Sequence, residues 1–167
     1  MQRTLIAAVL AALLPLSAMA ESNLTHEAGL PAYENALKSY MCVDYDKAFR
    51  LFSENAEKGH ALSQYMVGIM LGDGQGTQEN DKAAHEWFMR AARQNLVDAY
   101  YALGDMYKKG EGVAKDTTQA VFWYDLAAKG GHKLANDQLA GLTPVMLPEQ
   151  MERVRQQVAD WMAGKPR

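Results

Sequence analysis

Residues 59–92, GHALSQYMVGIMLGDGQGTQENDKAAHEWFMRAA, and residues 95–128, NLVDAYYALGDMYKKGEGVAKDTTQAVFWYDLAA, carry one pattern twice, 36 residues apart. Gly68, Met70, Gly74, Gly76, Ala84, Trp87-Phe88 and Ala91-Ala92 recur as Gly104, Met106, Gly110, Gly112, Ala120, Trp123-Tyr124 and Ala127-Ala128. A fixed period of about 20–50 residues marks a solenoid, in which each unit leaves an apolar face that only its neighbour covers. Within each copy the apolar spacing is helical, and glycines fall where helices stop and the chain needs positive φ. The predicted helices are 61–71 and 80–93 in one unit, then 97–108 and 117–129 in the next. Asp116 and Gln119 form a capping box at the start of the last.

The register extends in both directions. Ala48, Leu51 and Phe52 precede Ala84, Trp87 and Phe88 by the same 36 residues. Ahead of them Tyr33, Ala36, Leu37 and Tyr40 fall at i, i+3, i+4 and i+7, one helical face. Downstream, a degraded unit starts at Lys133 with Ala135, Leu139 and Leu142, is broken by Pro144 and Pro148, and ends in a charged closing helix over 148–161. The expected fold is an all-α, right-handed α-solenoid of helix-turn-helix repeats. Its divisions are a leader at 1–20, a flexible stretch at 21–30, a partial repeat at 31–59, full repeats at 60–95 and 96–131, and a degraded repeat with a capping helix at 132–167. Gly68 and Gly104 lie inside helices, where glycine costs about 1 kcal/mol relative to alanine. Trp87 and Trp123 are expected to fill the notches opposite these glycines and to share like surroundings.

The first twenty residues have the form of an export signal: Arg3, an apolar run from Leu5 to Leu16, and Ala18-Met19-Ala20 as the cleavage site. Cleavage after Ala20 would move the formal net charge from −3 to −4 and leave a periplasmic or secreted product. The scattered lysines and arginines speak against nucleic acid or an anionic membrane as partner. Cys42 is far from the cleavage site and has no second cysteine. It is expected to be a buried thiol, with pairing to another chain as the alternative.

Leu103-Gly104, Met106-Tyr107, Gly110, Gly112-Val113, Asp116, Ala120, Trp123-Tyr124 and Ala127-Ala128 together resemble the Sel-one-like repeat family, relatives of tetratricopeptide repeats with a longer internal loop. The preceding unit matches the pattern at Ala61, Gln64, Gly68, Met70, Gly74, Gly76, Ala84, Trp87-Phe88 and Ala91-Ala92. The resemblance implies a protein–protein adaptor, often exported in bacteria, and supplies no catalytic residues. A cysteine-rich branch, linked to penicillin binding, closes each repeat with a disulfide. Cys42 alone departs from that branch.

No chemistry-bearing motif stands out. The loop Gly72 to Gly76 lacks the strand and Gly-Lys-Ser/Thr of a phosphate cradle, and Asp73 lacks the companion oxygens of a calcium loop. His60 and His132 occupy equivalent turns two periods apart. His85, beside Glu86, is either a semi-buried structural histidine or an acid–base group. Met66, Met70, Met89, Met106, Met146, Met151 and Met162 follow helical or repeat spacing and are expected as core filler rather than a soft-metal site.

The variable positions of the first helices, Tyr65, Met66 and Ile69, then Tyr101, Ala102 and Asp105, are expected on the concave side, where they either grip a partner helix or peptide or wedge between repeats. The expected protein is therefore a non-catalytic binding module of the bacterial envelope, monomeric or weakly self-associating, without metal, cofactor, nucleic acid or membrane insertion. An inhibitor or immunity protein, or a cell-wall enzyme using His85 and Glu86, are the competing readings.

Overall fold

The computed structural model describes residues 30–164; the leader and its cleavage site lie outside them. Among the described residues the chain forms helices and no strand. These are α1 (Leu30–Met41), α2 (Tyr45–Glu57), α3 (Ala61–Gly72), α4 (Asp81–Ala92), α5 (Val97–Lys109), α6 (Thr117–Lys129), α7 (Ala135–Leu142) and, after a 3₁₀ turn at Thr143–Val145, α8 (Pro148–Met162). The fold is a right-handed α-solenoid of helical hairpins, α1–α2, α3–α4 and α5–α6, closed by α7 and α8.

Local chemistry sets where each second helix begins. Asp44, Asn80 and Asp116 stand one period apart, and each accepts the backbone N–H three residues on, from Lys47, Ala83 and Gln119. A side-chain oxygen at this position satisfies one of the donors a helix leaves orphaned at its start. The first helices differ: His60 caps α3 through its ring nitrogen, whereas Leu96 before α5 offers no side-chain cap.

Packing runs from helix to helix between α2 and α7, and α8 turns back onto α6. The core is lined by Ala36, Ala48, Phe52, Met70, Ala91, Leu103, Ala127 and Trp123, all at most 1 % exposed. Small residues set how closely the helices approach. A Cβ at Gly68 would sit 2.5 Å from the Phe88 ring, and one at Gly104 would sit 2.6 Å from the Tyr124 ring. The notches thus hold the residues after the tryptophans. This corrects the expectation that Trp87 and Trp123 fill them.

The tryptophans also differ from each other. Trp123 is 1 % exposed, stacked on Tyr100 and met edge-on by Phe122 and by Trp161 of α8. Trp87 is only partly buried, with the Arg90 guanidinium 4.2 Å over its ring. This corrects the expectation that the two share like surroundings. The hairpins are nonetheless equivalent, because Phe88 and Tyr124 hold the same place; the tryptophans diverge because α8 covers one hairpin only.

A second contact joins successive hairpins. The loop of each later hairpin reaches back as a tongue, and Gly76 (φ 66°) lies against the Tyr45 carbonyl at the start of α2. One period on, Gly112 (φ 68°) lies against the Asp81 carbonyl at the start of α4. Backbone meets backbone at both, so no side chain fits. Between α1 and α2 the turn is only Cys42-Val43-Asp44, and Val43 is forced to φ 63°, a conformation costing a β-branched residue about 1–2 kcal/mol. Cys42 is exposed there, correcting the expected buried thiol: the turn lies at the end of its hairpin with Met41 and Val43 also exposed. Met162 is 63 % exposed as well, so it is not core filler.

Candidate functional site: the tyrosine face

The first helices α1, α3 and α5 share a face along which one aromatic motif repeats. Tyr33 packs on Phe52 with ring centres 5.6 Å apart, Tyr65 on Phe88 at 5.6 Å, and Tyr101 on Tyr124 at 5.5 Å, all tilted. Each tyrosine therefore sits on the second helix of its own hairpin. Tyr33 escapes the 36-residue register because its hairpin turn is four residues shorter: 19 residues separate Tyr33 from Phe52, and 23 separate Tyr65 from Phe88.

Histidines from the inter-hairpin joints complete two of these stacks. The His60 ring lies 5.2 Å from Tyr33, and His132 stacks on Tyr101 at 4.1 Å with planes 19° apart. Between them in register is Leu96. The face also changes character along the chain. Positions held by Leu62 and Ile69 on α3 become Asp98 and Asp105 on α5. Asp105 accepts a hydrogen bond from the Tyr124 hydroxyl, and Asp98 lies 3.8 Å from His132 Nε2. Burial raises the Tyr65 pKa, followed by the charges of Asp98 and Asp105 and by Tyr33. Burial lowers that of His132, against the pull of the same two carboxylates.

Of the residues expected on this face, Tyr65, Ile69, Tyr101, Ala102 and Asp105 are partly open. Met66 is 2 % exposed and belongs to the core; one residue beyond Tyr65, it is rotated by about 100° around the helix, towards neighbouring helices. Sequence reasoning missed Tyr33, Asp98 and the role of the two histidines. Asp98 was detectable as a carboxylate seven residues before Asp105, two helical turns along the same stripe.

Other candidates offer little chemistry. A wide hollow of about 440 Å³ between α1 and α2 is lined by Cys42, Ser39, Asn35 and Asp44, with no histidine among its lining residues to activate the thiol. Among the described residues no three His, Cys, Asp or Glu side chains are grouped to hold a metal.

His85 lies away from the tyrosine face, edge-on to Tyr107 at 5.6 Å. Its Nε2 is buried without a hydrogen-bond partner, where the equivalent positions are Phe49 and Val121. Leaving such a group unsatisfied costs about 1–3 kcal/mol. Burial also lowers its pKa, partly offset by Glu86. A histidine whose pKa falls on folding makes the native state bind fewer protons, so stability declines as pH drops through the unfolded value. His85→Phe is therefore expected to raise the melting temperature by a few degrees, and by more at pH 5.5 than at pH 8, in thermal scans at both values. An unchanged or lowered melting temperature at both would contradict this assignment.

Comparison with known proteins places these features in context. The Sel1 repeat pattern matches residues 39–60, 61–96 and 97–132. An uncharacterized protein of Neisseria meningitidis is 33 % identical over 80 % of this chain and 28 % of its own length. An ERAD-associated E3 ubiquitin-protein ligase component of Arabidopsis thaliana is 32 % identical over 71 % of this chain and 19 % of its own. Chitin synthase regulatory factor 3 of Schizosaccharomyces pombe is 32 % identical over 52 % of this chain and 9 % of its own. The chain thus spans under a third of the length of these relatives. Among solved structures, an Escherichia coli protective antigen displaying an SLR fold superposes with a TM-score of 0.76 at 23 % identity, covering 81 % of this chain and 30 % of that one. A Sel1 repeat protein from Oxalobacter formigenes gives 0.64 at 28 % identity, covering 66 % and 46 %.

Proposed function

The chain belongs to the Sel1 repeat family, and from that premise we propose that it is a non-catalytic binding module that holds another protein on the face of α1, α3 and α5. The carrying observation is the pair Tyr65 and Tyr101 with Leu62 and Ile69, all partly open, continuing the row that the buried Tyr33 begins. Tyrosine offers a large contact area at low conformational cost, and an aromatic-aliphatic strip suits a helix or an extended peptide. Relatives named as a chitin synthase regulatory factor and a ubiquitin-ligase component point the same way, to accompanying enzymes rather than to catalysis. The amino-terminal signal pattern supports export, so the module works in the periplasm after cleavage behind Ala20, with a partner in the cell envelope.

A photo-crosslinking amino acid placed at Ile69 or Ala102 tests this in the native bacterium. A discrete adduct, identified by mass spectrometry and missing when the probe stands at Arg90 on a second helix, is the expected result. Adducts formed only from Arg90, or equally from all sites, would reject the tyrosine face. Fractionation showing the full-length chain uncleaved in the cytoplasm would reject the location.

A further inference from the structure

Resting on that reading of the face, we infer that His132 is an acid-operated latch: its neutral imidazole covers the Tyr101 ring and swings off it on protonation, opening the α5 end of the face. Three observations of geometry carry this. The two rings are stacked, with centres 4.1 Å apart and planes 19° from parallel. His132 Nδ1 is buried and has no hydrogen-bond partner among the described residues. Its Nε2 lies 3.8 Å from Asp98, whose side chain is 40 % exposed, so a carboxylate stands where the ring can leave its seat and still be met. The equivalent joint two periods earlier shows what His132 lacks. His60 also lies against a tyrosine of the face, but its Nδ1 accepts the Ser63 backbone N–H at 3.2 Å and meets the Ser63 hydroxyl at 2.8 Å. Ala135 stands in the Ser63 position, and its N–H goes instead to the His132 carbonyl at 3.2 Å. His60 is pinned through Nδ1; His132 is held by its stack and by Asp98.

A neutral imidazole can keep its one proton on Nε2, towards Asp98. An imidazolium carries a second N–H, at Nδ1, where protein encloses it without an acceptor, and a buried donor left unmade forfeits its solvation. Turning the ring outward returns Nδ1–H to water while the positive charge stays beside Asp98. The charged groups around the joint are these. α5 presents Asp98, Asp105 and Tyr101 itself, with Asp105 held by the Tyr124 hydroxyl of α6. On α6 Lys129 is tied to Asp125; α7 carries Asp137 in its first turn, and Lys133 directly follows His132. Burial holds the stacked imidazole below its ordinary 6.5, against the pull of Asp98 and Asp105. The native stack thus binds fewer protons than a freed ring, so the latch is closed above that value. Each pH unit below it multiplies the open form by up to about tenfold, until the stacked ring itself protonates.

NMR of the protein with carbon-13 in its histidine and tyrosine rings tests the latch from about pH 7.5 down to about pH 4.5. The His132 signals, identified by their loss in His132→Phe, should titrate below the ordinary imidazole value. The Tyr101 ring signals should shift with them as the stacked neighbour departs, and a soluble paramagnetic agent should broaden them more at the acid end. In His132→Phe, which keeps a stacking ring and removes the titration, Tyr101 should stay fixed over the same range. In His132→Gln, which removes the ring, Tyr101 should be broadened already at neutral pH. A His132 that titrates at or above its ordinary value, Tyr101 signals that stay put while His132 titrates, or loss of the whole folded spectrum before Tyr101 moves overturns the latch. Its failure and that of the proposed function are distinguishable. A probe at Ala102 that captures a partner beside an immovable His132 leaves the function standing and the latch fallen; a ring that opens in a protein whose Ala102 and Ile69 probes capture nothing does the reverse.

Discussion

Gly76→Ala is expected to destabilise the protein by about 3 kcal/mol, combining roughly 1–2 kcal/mol for a left-handed backbone with a further 1–3 for steric overlap. The overlap is with the Tyr45 carbonyl, which cannot rotate aside as a side-chain tip would. For a chain of this size the melting temperature should fall by about 6–12 °C, read by circular dichroism at 222 nm. Gly131→Ala separates the two causes: Gly131 has φ 89° but nothing within 4 Å of a Cβ, so only the backbone cost of about 1–2 kcal/mol applies. Gly112→Ala, against the Asp81 carbonyl, should behave like Gly76→Ala. Equal losses at Gly76 and Gly131 would mean that the tongues contribute nothing to the joint between hairpins.

Trp123→Ala should cost about 4 kcal/mol, as expected for emptying a fully enclosed aromatic site. Its loss also strips Tyr100, Phe122 and Trp161 of a shared neighbour. Trp87→Ala, one period earlier, should cost about 1–2 kcal/mol, since that ring is partly exposed and its cation contact contributes about 0.5–1. Urea denaturation of the two variants measures the difference. Equal costs would show that α8 does not make the third hairpin distinct.

That asymmetry shows where sequence was enough and where it was not. The period of 36 residues, the loop glycines and the caps at Asp44, Asn80 and Asp116 are local signals, and each dictates backbone geometry within a few residues. Which aromatic fills which notch depends on helix rotation, which spacing leaves uncertain by about one residue. Hence spacing sets Trp87 and Trp123 where Phe88 and Tyr124 sit, and it offers Met66 both to the core, where it lies, and to the open face. The seat of α8 was nonetheless visible. Tyr100 and Phe122, which flank Trp123, stand where the previous hairpin has Gln64 and Glu86. An apolar pair replacing a polar pair at repeat-equivalent positions signals an added covering element. For the tyrosine face, Tyr65, Tyr101, Ile69 and Asp105 were legible from register. Tyr33 was hidden by the four-residue shortening, and the meeting of His132 with Tyr101 needed the joint geometry.

The two tongues give the array a grammar of growth. Each later hairpin carries the latch that engages its predecessor, so extension has a direction, as in a polymer with distinct head and tail. The α1–α2 hairpin has a three-residue turn in place of a latch, which makes it an initiator by this device. At the far end, the register position of Gly76 and Gly112 falls next on Pro148, which opens α8 instead of clasping α6. A terminator is thus written into the same column that propagates the chain, and inserting a whole 36-residue unit ahead of it should lengthen the protein without altering either end.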